Sequence, residues 1–152
     1  MTSRLNKIFL SYSGEDAFEA SLLQYAFETL LYDEDVQIWT YKRDQHKDEK
    51  NISESLKERV KESKATIFLV SPTTLDTGAT QWMELAYSDA FDVPTFILLH
   101  RMTYQELRGR EKGVPPLLLS GQCNDAVEWM DLVPELRKCI IDDGEEHRSN
   151  NG

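Results

Sequence analysis

Apolar positions along this chain fall into short segments that switch between two periods. Lys7 to Tyr12 is a short apolar run with no helical repeat, and it ends in Ser13-Gly14-Glu15-Asp16, a turn able to open a helix. From Phe18 the positions Leu22, Ala26 and Leu30 recur every four residues with Leu23, Phe27 and Leu31 beside them. This wide stripe predicts a first helix over 16–32. Val36-Gln37-Ile38-Trp39 alternates as a strand does and uses strand-favouring residues. Ala65 to Val70 and Thr95 to Leu99 are nearly continuous apolar runs, the pattern of strands buried on both faces of a parallel sheet. Between them the pattern predicts two more helices. One carries Ile52, Leu56 and Val60 behind a capping-box-like Asn51 and Glu54, and the other spans about 81–91. Beyond Leu99, Met102 to Arg110 suits a short polar helix, and Ala126 to Trp129 reads as a short fifth strand at a sheet edge. Leu132, Leu136, Cys139 and Ile140 mark a last helix, after which Asp142 to Gly152 is charged and lacks large apolar residues, as a frayed tail does.

Strands alternating with helices through short connections imply a parallel sheet covered on both faces. Ligands of such sheets bind at the carboxyl ends of the strands. Here those ends are Tyr12 to Glu15, Trp39 to Lys50, Ser71 to Thr80 and His100 to Met102. The chain has 152 residues, about the size of one domain with one substantial core. Its 40% apolar and 29% charged content is that of an ordinary soluble protein. No apolar run approaches the roughly 18 residues that span a bilayer, and Met1 to Asn6 lacks the apolar segment of a secretory signal, so the expected location is the cytosol. Cys123 and Cys139 have no metal-ligand spacing and read as reduced thiols, while His46, His100 and His147 form no metal pattern, so no metal site is assigned. A net charge of −10 argues against nonspecific binding to nucleic acid or an anionic membrane. An anionic ligand needs a local cationic pocket.

Ile8-Phe9-Leu10-Ser11-Tyr12-Ser13 with Glu15-Asp16, the charged segment from Tyr41 to Asn51, and the strand and helix from Ala65 to Phe91 together resemble the Toll/interleukin-1 receptor (TIR) domain. The resemblance runs from about Lys7 to Ile141 and is greatest for the bacterial or archaeal branch. It implies a flavodoxin-like α/β fold whose five parallel strands lie in the order 2-1-3-4-5. The single domain would cover 1–142, with 143–152 as a disordered tail. Many members of that branch cleave NAD+ at the nicotinamide glycosidic bond with a glutamate in the helix after the third strand, and Glu84 is the matching position. The family usually has Trp four residues before that glutamate; here Thr80 stands there and Trp82 lies two before. A carboxylate often follows the family's second strand, whereas this chain has Tyr41, with Asp44 able to take the role if the loop is shifted.

The chemistry expected of Glu84 is electrostatic. Nicotinamide leaves as a neutral molecule, so the reaction asks little of a general acid, and positive charge develops on an oxocarbenium-like ribose. Fixed negative charge beside it stabilises the transition state. The ordinary alternative is a glutamate that only favours its own helix N-terminus. Tyr12, Ser13 and Gly14 either hold a nucleotide ring and phosphate or form a helix cap with a rim aromatic. Lys47, with Lys42 and Arg43, either offsets pyrophosphate charge or belongs to a solvated loop. Trp39, Tyr41, Asp44, Trp82 and Tyr87 complete the expected substrate-binding set; Trp82 is equally readable as a core residue, and core packing is the commoner use of a stripe such as Tyr87 and Phe91. The expectation is an NAD+ nucleosidase of prokaryotic antiphage defence, with no cofactor beyond NAD+ as substrate. TIR-TIR self-association and a separate sensor or effector are the expected partners. The alternative is a non-catalytic TIR scaffold that acts by homotypic assembly.

Overall fold

The computed structural model describes residues 6–40, 57–72, 86–109 and 122–149. Strands β1 (Asn6–Ser11), β2 (Val36–Thr40), β3 (Ala65–Val70), β4 (Thr95–Leu99) and β5 (Gln122–Asp125) form one sheet in the order β2-β1-β3-β4-β5. Every neighbouring pair is parallel. The alternating pattern predicts the parallel sheet, and the order is the flavodoxin-like one that the TIR resemblance implies. Among the described residues the main α-helices are α1 (Ala17–Leu30), α2 (described over 57–62), α3 (described over 86–90), α4 (Tyr104–Gly109) and α5 (Leu132–Ser149).

Strand periodicity assigns each side chain to a face. Ile8, Leu10, Ile38, Ile67, Leu69 and Leu98 point to one side, where Ala20, Leu23 and Phe27 of α1 and Leu132, Leu136 and Ile140 of α5 cover them. On the other side Phe9, Val60 and Val93 pack with Trp39, Tyr87 and Phe91. Beside that group Phe68, Val70, Ile97 and Leu99 meet Met102 and Leu107. All six residues of β3 are buried, which is why its sequence is apolar without alternation.

Two polar ties orient helices on this sheet. At the outer edge strand, the Ile38 amide donates to Glu28 Oε1 at 2.9 Å, and Gln24 Nε2 donates to the Ile38 carbonyl at 3.2 Å. On the opposite face, the buried Ser88 hydroxyl of α3 donates to Thr66 Oγ1 of β3 at 3.0 Å.

The fifth strand is Gln122–Asp125, not Ala126 to Trp129 as the apolar pattern suggests. Ala126–Asp131 forms a 3-10 helix instead. A sheet-edge strand is defined by its pairing with β4, which the polar Gln-Cys-Asn-Asp segment supplies through its backbone. The apolar character of Ala126 and Trp129 serves a different purpose: both pack against the α1-side core. The last helix also continues to Ser149, through residues whose composition suggests a tail. Glu145, Glu146 and Arg148 favour the helix by propensity, although Asp142, Asp143 and Gly144 before them do not. Among the described residues no helix is long and apolar enough to cross a membrane.

Candidate functional site

The carboxyl ends of β1, β3 and β4 converge on one polar cluster. After β1 the chain turns at Ser13, whose carbonyl accepts the Asp16 amide at 2.9 Å and whose hydroxyl donates to Asp16 Oδ2 at 3.0 Å. Ser71, the residue after β3, donates its hydroxyl to the same Oδ2 at 2.5 Å. Asp16 is 6% exposed, and its buried carboxyl group accepts two hydroxyls from neighbouring strand ends. His100, directly after β4, donates its amide to the Val70 carbonyl at 2.8 Å. Its ring reaches the first turn of α1, where Nε2 lies 3.8 Å from Glu19 Oε1.

Of the residues expected to hold substrate, Ser13 is buried at this junction and caps no backbone amide with its side chain. Tyr12 is half-buried against the α1-side core. Gly14 opens the short 3-10 turn that leads into α1. Trp39 and Tyr87 are brought together on the opposite face, both against the group of Phe9, Val60 and Val93. Two cations sit over the Trp39 ring, Lys7 Nζ at 4.7 Å and Arg59 Cζ at 4.5 Å from its centroid. Lys7 Nζ is also paired with Glu62 Oε2 at 3.1 Å, so part of this charge is already neutralised. The structure thus divides the described members of the expected set between two sides of the sheet edge. Tyr41, Asp44, Lys47, Trp82 and Glu84 lie outside the described residues.

Asp16, Glu19 and His100 were not singled out by sequence patterns. The available signal is positional: His100 immediately follows an apolar strand on the carboxyl edge, and Asp16 and Glu19 are three apart at a helix start. Further along the same edge, a cavity of about 550 Å³ opens between Leu99, Tyr104, Cys123, Asp125 and Glu128. A shallower one of about 340 Å³ lies beside His100, Arg101 and Glu106. Neither is lined by Tyr12, Ser13, Gly14, Trp39 or Tyr87. Burial pushes the Cys123 thiol up from its ordinary range, which keeps it protonated and removes it as a nucleophile.

The family described as "Thoeris protein ThsB, TIR-like domain" matches residues 9–90, more than half of the 152-residue chain. The chain belongs to the ThsB TIR-like domain family. The matched span of this TIR-like domain runs from β1 to α3 and includes the position of Glu84. No curated protein matches the domain by sequence. Among solved structures, it is similar to a 2-deoxyribosyltransferase from the psychrotolerant bacterium Bacillus psychrosaccharolyticus. That match has 17% identity and a TM-score of 0.56, covering 84% of this chain and 90% of the other. It is also similar to the TIR domains of the activated Roq1 resistosome, which directly recognises the pathogen effector XopQ. There the identity is 15% and the TM-score 0.51, with 89% of this chain and 81% of the other covered. At such identities these likenesses establish the fold.

Proposed function

We propose that this TIR-like domain is an NAD+ glycohydrolase of prokaryotic antiphage defence, with Glu84 as its catalytic carboxylate. The observation that carries the reading is the family match over residues 9–90, a span that contains Glu84 at the position where NAD+-cleaving relatives use a glutamate. In the reaction the bond between ribose C1′ and the nicotinamide nitrogen breaks, and its electron pair neutralises the pyridinium. Positive charge passes to the ribose, where the Glu84 carboxylate stabilises it. Water then adds to C1′ and loses a proton, giving ADP-ribose; a hydroxyl or base nitrogen of the substrate itself gives a cyclic product, and a second molecule a conjugate. Tyr12, Ser13 and Gly14 at the end of β1, with Trp39 and Tyr87 on the other face, are the described residues proposed to bind substrate. Tyr41, Asp44, Lys47 and Trp82 complete that set. A chain of the same fold is a 2-deoxyribosyltransferase, so the fold can host glycosyl transfer.

Incubation of concentrated protein with NAD+, followed by mass spectrometry, should yield nicotinamide and an ADP-ribose species. Glu84→Gln should lower turnover by roughly 10²-fold or more while the circular dichroism spectrum and melting midpoint hold. Undiminished turnover in that variant excludes Glu84 as the catalytic group.

Self-association belongs to the same reading. The exposed positions of α1 are Phe18, Ser21, Leu22, Tyr25, Thr29 and Leu30, none of them charged, in a protein of net charge −10. Two like-charged copies meet most easily where charge is missing, so the outer face of α1 is the surface on which a second copy packs. The same face favours the scaffold alternative if NAD+ is left intact at every protein concentration.

A further inference from the structure

We propose that Asp16, Glu19 and His100 bind a divalent transition-metal ion at the carboxyl edge of the sheet, between the first turn of α1 and the end of β4. One donor atom from each residue lies within 4.8 Å of the other two. The set combines Asp16 at the end of the 3-10 turn and Glu19 in the first turn of α1, three residues apart, with the imidazole of His100 after β4. Only the fold brings the imidazole to the two carboxylates.

A separate observation points to a ligand there. Glu19 Oε2 and His100 Nε2 are both fully buried atoms with no hydrogen-bond partner among the described residues. Buried polar atoms in native proteins are nearly always satisfied, and an exception calls for an ion or an ordered water. Nε2 and Glu19 Oε1 stand 3.8 Å apart, too far for a hydrogen bond. Two ligands held about 2.1 Å from one ion stand roughly 3.0–3.5 Å apart, so the observed spacing is close to that of a shared coordination sphere. A separation at the 4.8 Å limit would shorten by roughly 1.3–1.8 Å on binding.

The surroundings favour the ion over a simple contact. Ser13 and Ser71 both donate to Oδ2 of Asp16, which fixes the carboxylate, and no hydrogen bond reaches Oδ1 among the described residues. Hydroxyls that orient a ligating carboxylate in this way are the usual support of a metal ligand. Two carboxylates and a neutral imidazole carry two negative charges, which a divalent cation neutralises. The mixed nitrogen and oxygen donors suit Zn²⁺ or Mn²⁺, whereas Ca²⁺ and Mg²⁺ prefer oxygen alone. A bound ion would pin α1 to β4 and add fixed positive charge to the binding edge of an acidic protein. The inference does not depend on the NAD+ reaction.

The test uses the full chain stripped with a chelator. Calorimetric titration with ZnCl2 should show one ion per chain, and saturating zinc should raise the melting midpoint. His100→Gln and Glu19→Gln, both at partly exposed positions, should each weaken zinc binding roughly 100-fold. MnCl2 added to the unmodified chain should broaden the His100 ring signals before those of His46 and His147, a readout that stands even if a variant fails to fold. Absence of saturable zinc binding, unchanged affinity in both variants, or earlier broadening at another histidine overturns the site.

Discussion

Phe27 is fully buried on α1 and meets the Trp129 indole edge-on, with ring centroids 5.4 Å apart and planes at 85°. Phe27→Ala should therefore cost about 3–5 kcal/mol in chemical denaturation, from lost burial and the cavity left behind. A double-mutant cycle with Trp129→Ala should return a coupling of about 0.5–1.5 kcal/mol, the share belonging to the ring pair itself. Arg101 is a residue of another kind. It sits directly after His100 with φ of 60°, in the left-handed region that L side chains avoid. Arg101→Gly should raise stability by up to about 1 kcal/mol, seen as a higher melting midpoint, because glycine adopts that backbone without a steric penalty.

Between elements, Arg137 of α5 joins the end of α1 to the turn beyond it. Its guanidinium donates to Asp33 Oδ2 at 2.8 Å, to Glu34 Oε1 at 3.2 Å and to the Leu30 carbonyl at 3.1 Å. The hydrogen bond from Arg137 holds the Asp33 carboxyl below its ordinary value of 3.8. A carboxyl lowered in the folded state stabilises it fully above the unfolded pKa and loses that effect as pH falls through the folded one. The melting difference between the unmodified chain and Arg137→Ala should thus stay constant from neutral pH down to about pH 5, then shrink below about pH 4. Asp33 is exposed and Arg137 partly so, and the difference should be small and should fall further with added salt.

Elements also differ in how far the sequence reveals them. β3 and β4 are legible because burial on both faces leaves only apolar residues. α1 is legible as a helix, but only Leu23, Phe27 and Leu31 of its expected stripe face the sheet, while Phe18, Leu22 and Leu30 are exposed. β5 is not, since Gln122–Asp125 earns its place through backbone pairing with β4 rather than through burial. The expected site residues Tyr12, Ser13, Trp39 and Tyr87 could be placed at strand ends and helix starts from pattern alone. Their division between two sheet faces depends on crossover geometry that no local window contains. The contact of His100 with Glu19 is hidden for the same reason, as it joins two strand-helix units distant in sequence.

For the molecule as a whole, charge and surface pattern bear on the proposed self-association. Phe18, Leu22 and Tyr25 are 71%, 56% and 74% exposed along one side of α1. If copies pack there, added salt should strengthen association by screening the repulsion of −10 charges, and Leu22→Glu should weaken it in sedimentation velocity. NAD+ turnover should then rise more steeply than protein concentration, and Leu22→Glu should flatten that dependence. The outer strand of the sheet sets a further limit on growth. At the middle of β2, the Ile38 amide and carbonyl are already taken by Glu28 and Gln24 of α1. An incoming strand finds no open ladder at that point, so this edge is a poor template for fibre-like extension. The proposed self-association would then run through contacts between side chains, which separate more readily than a shared strand ladder.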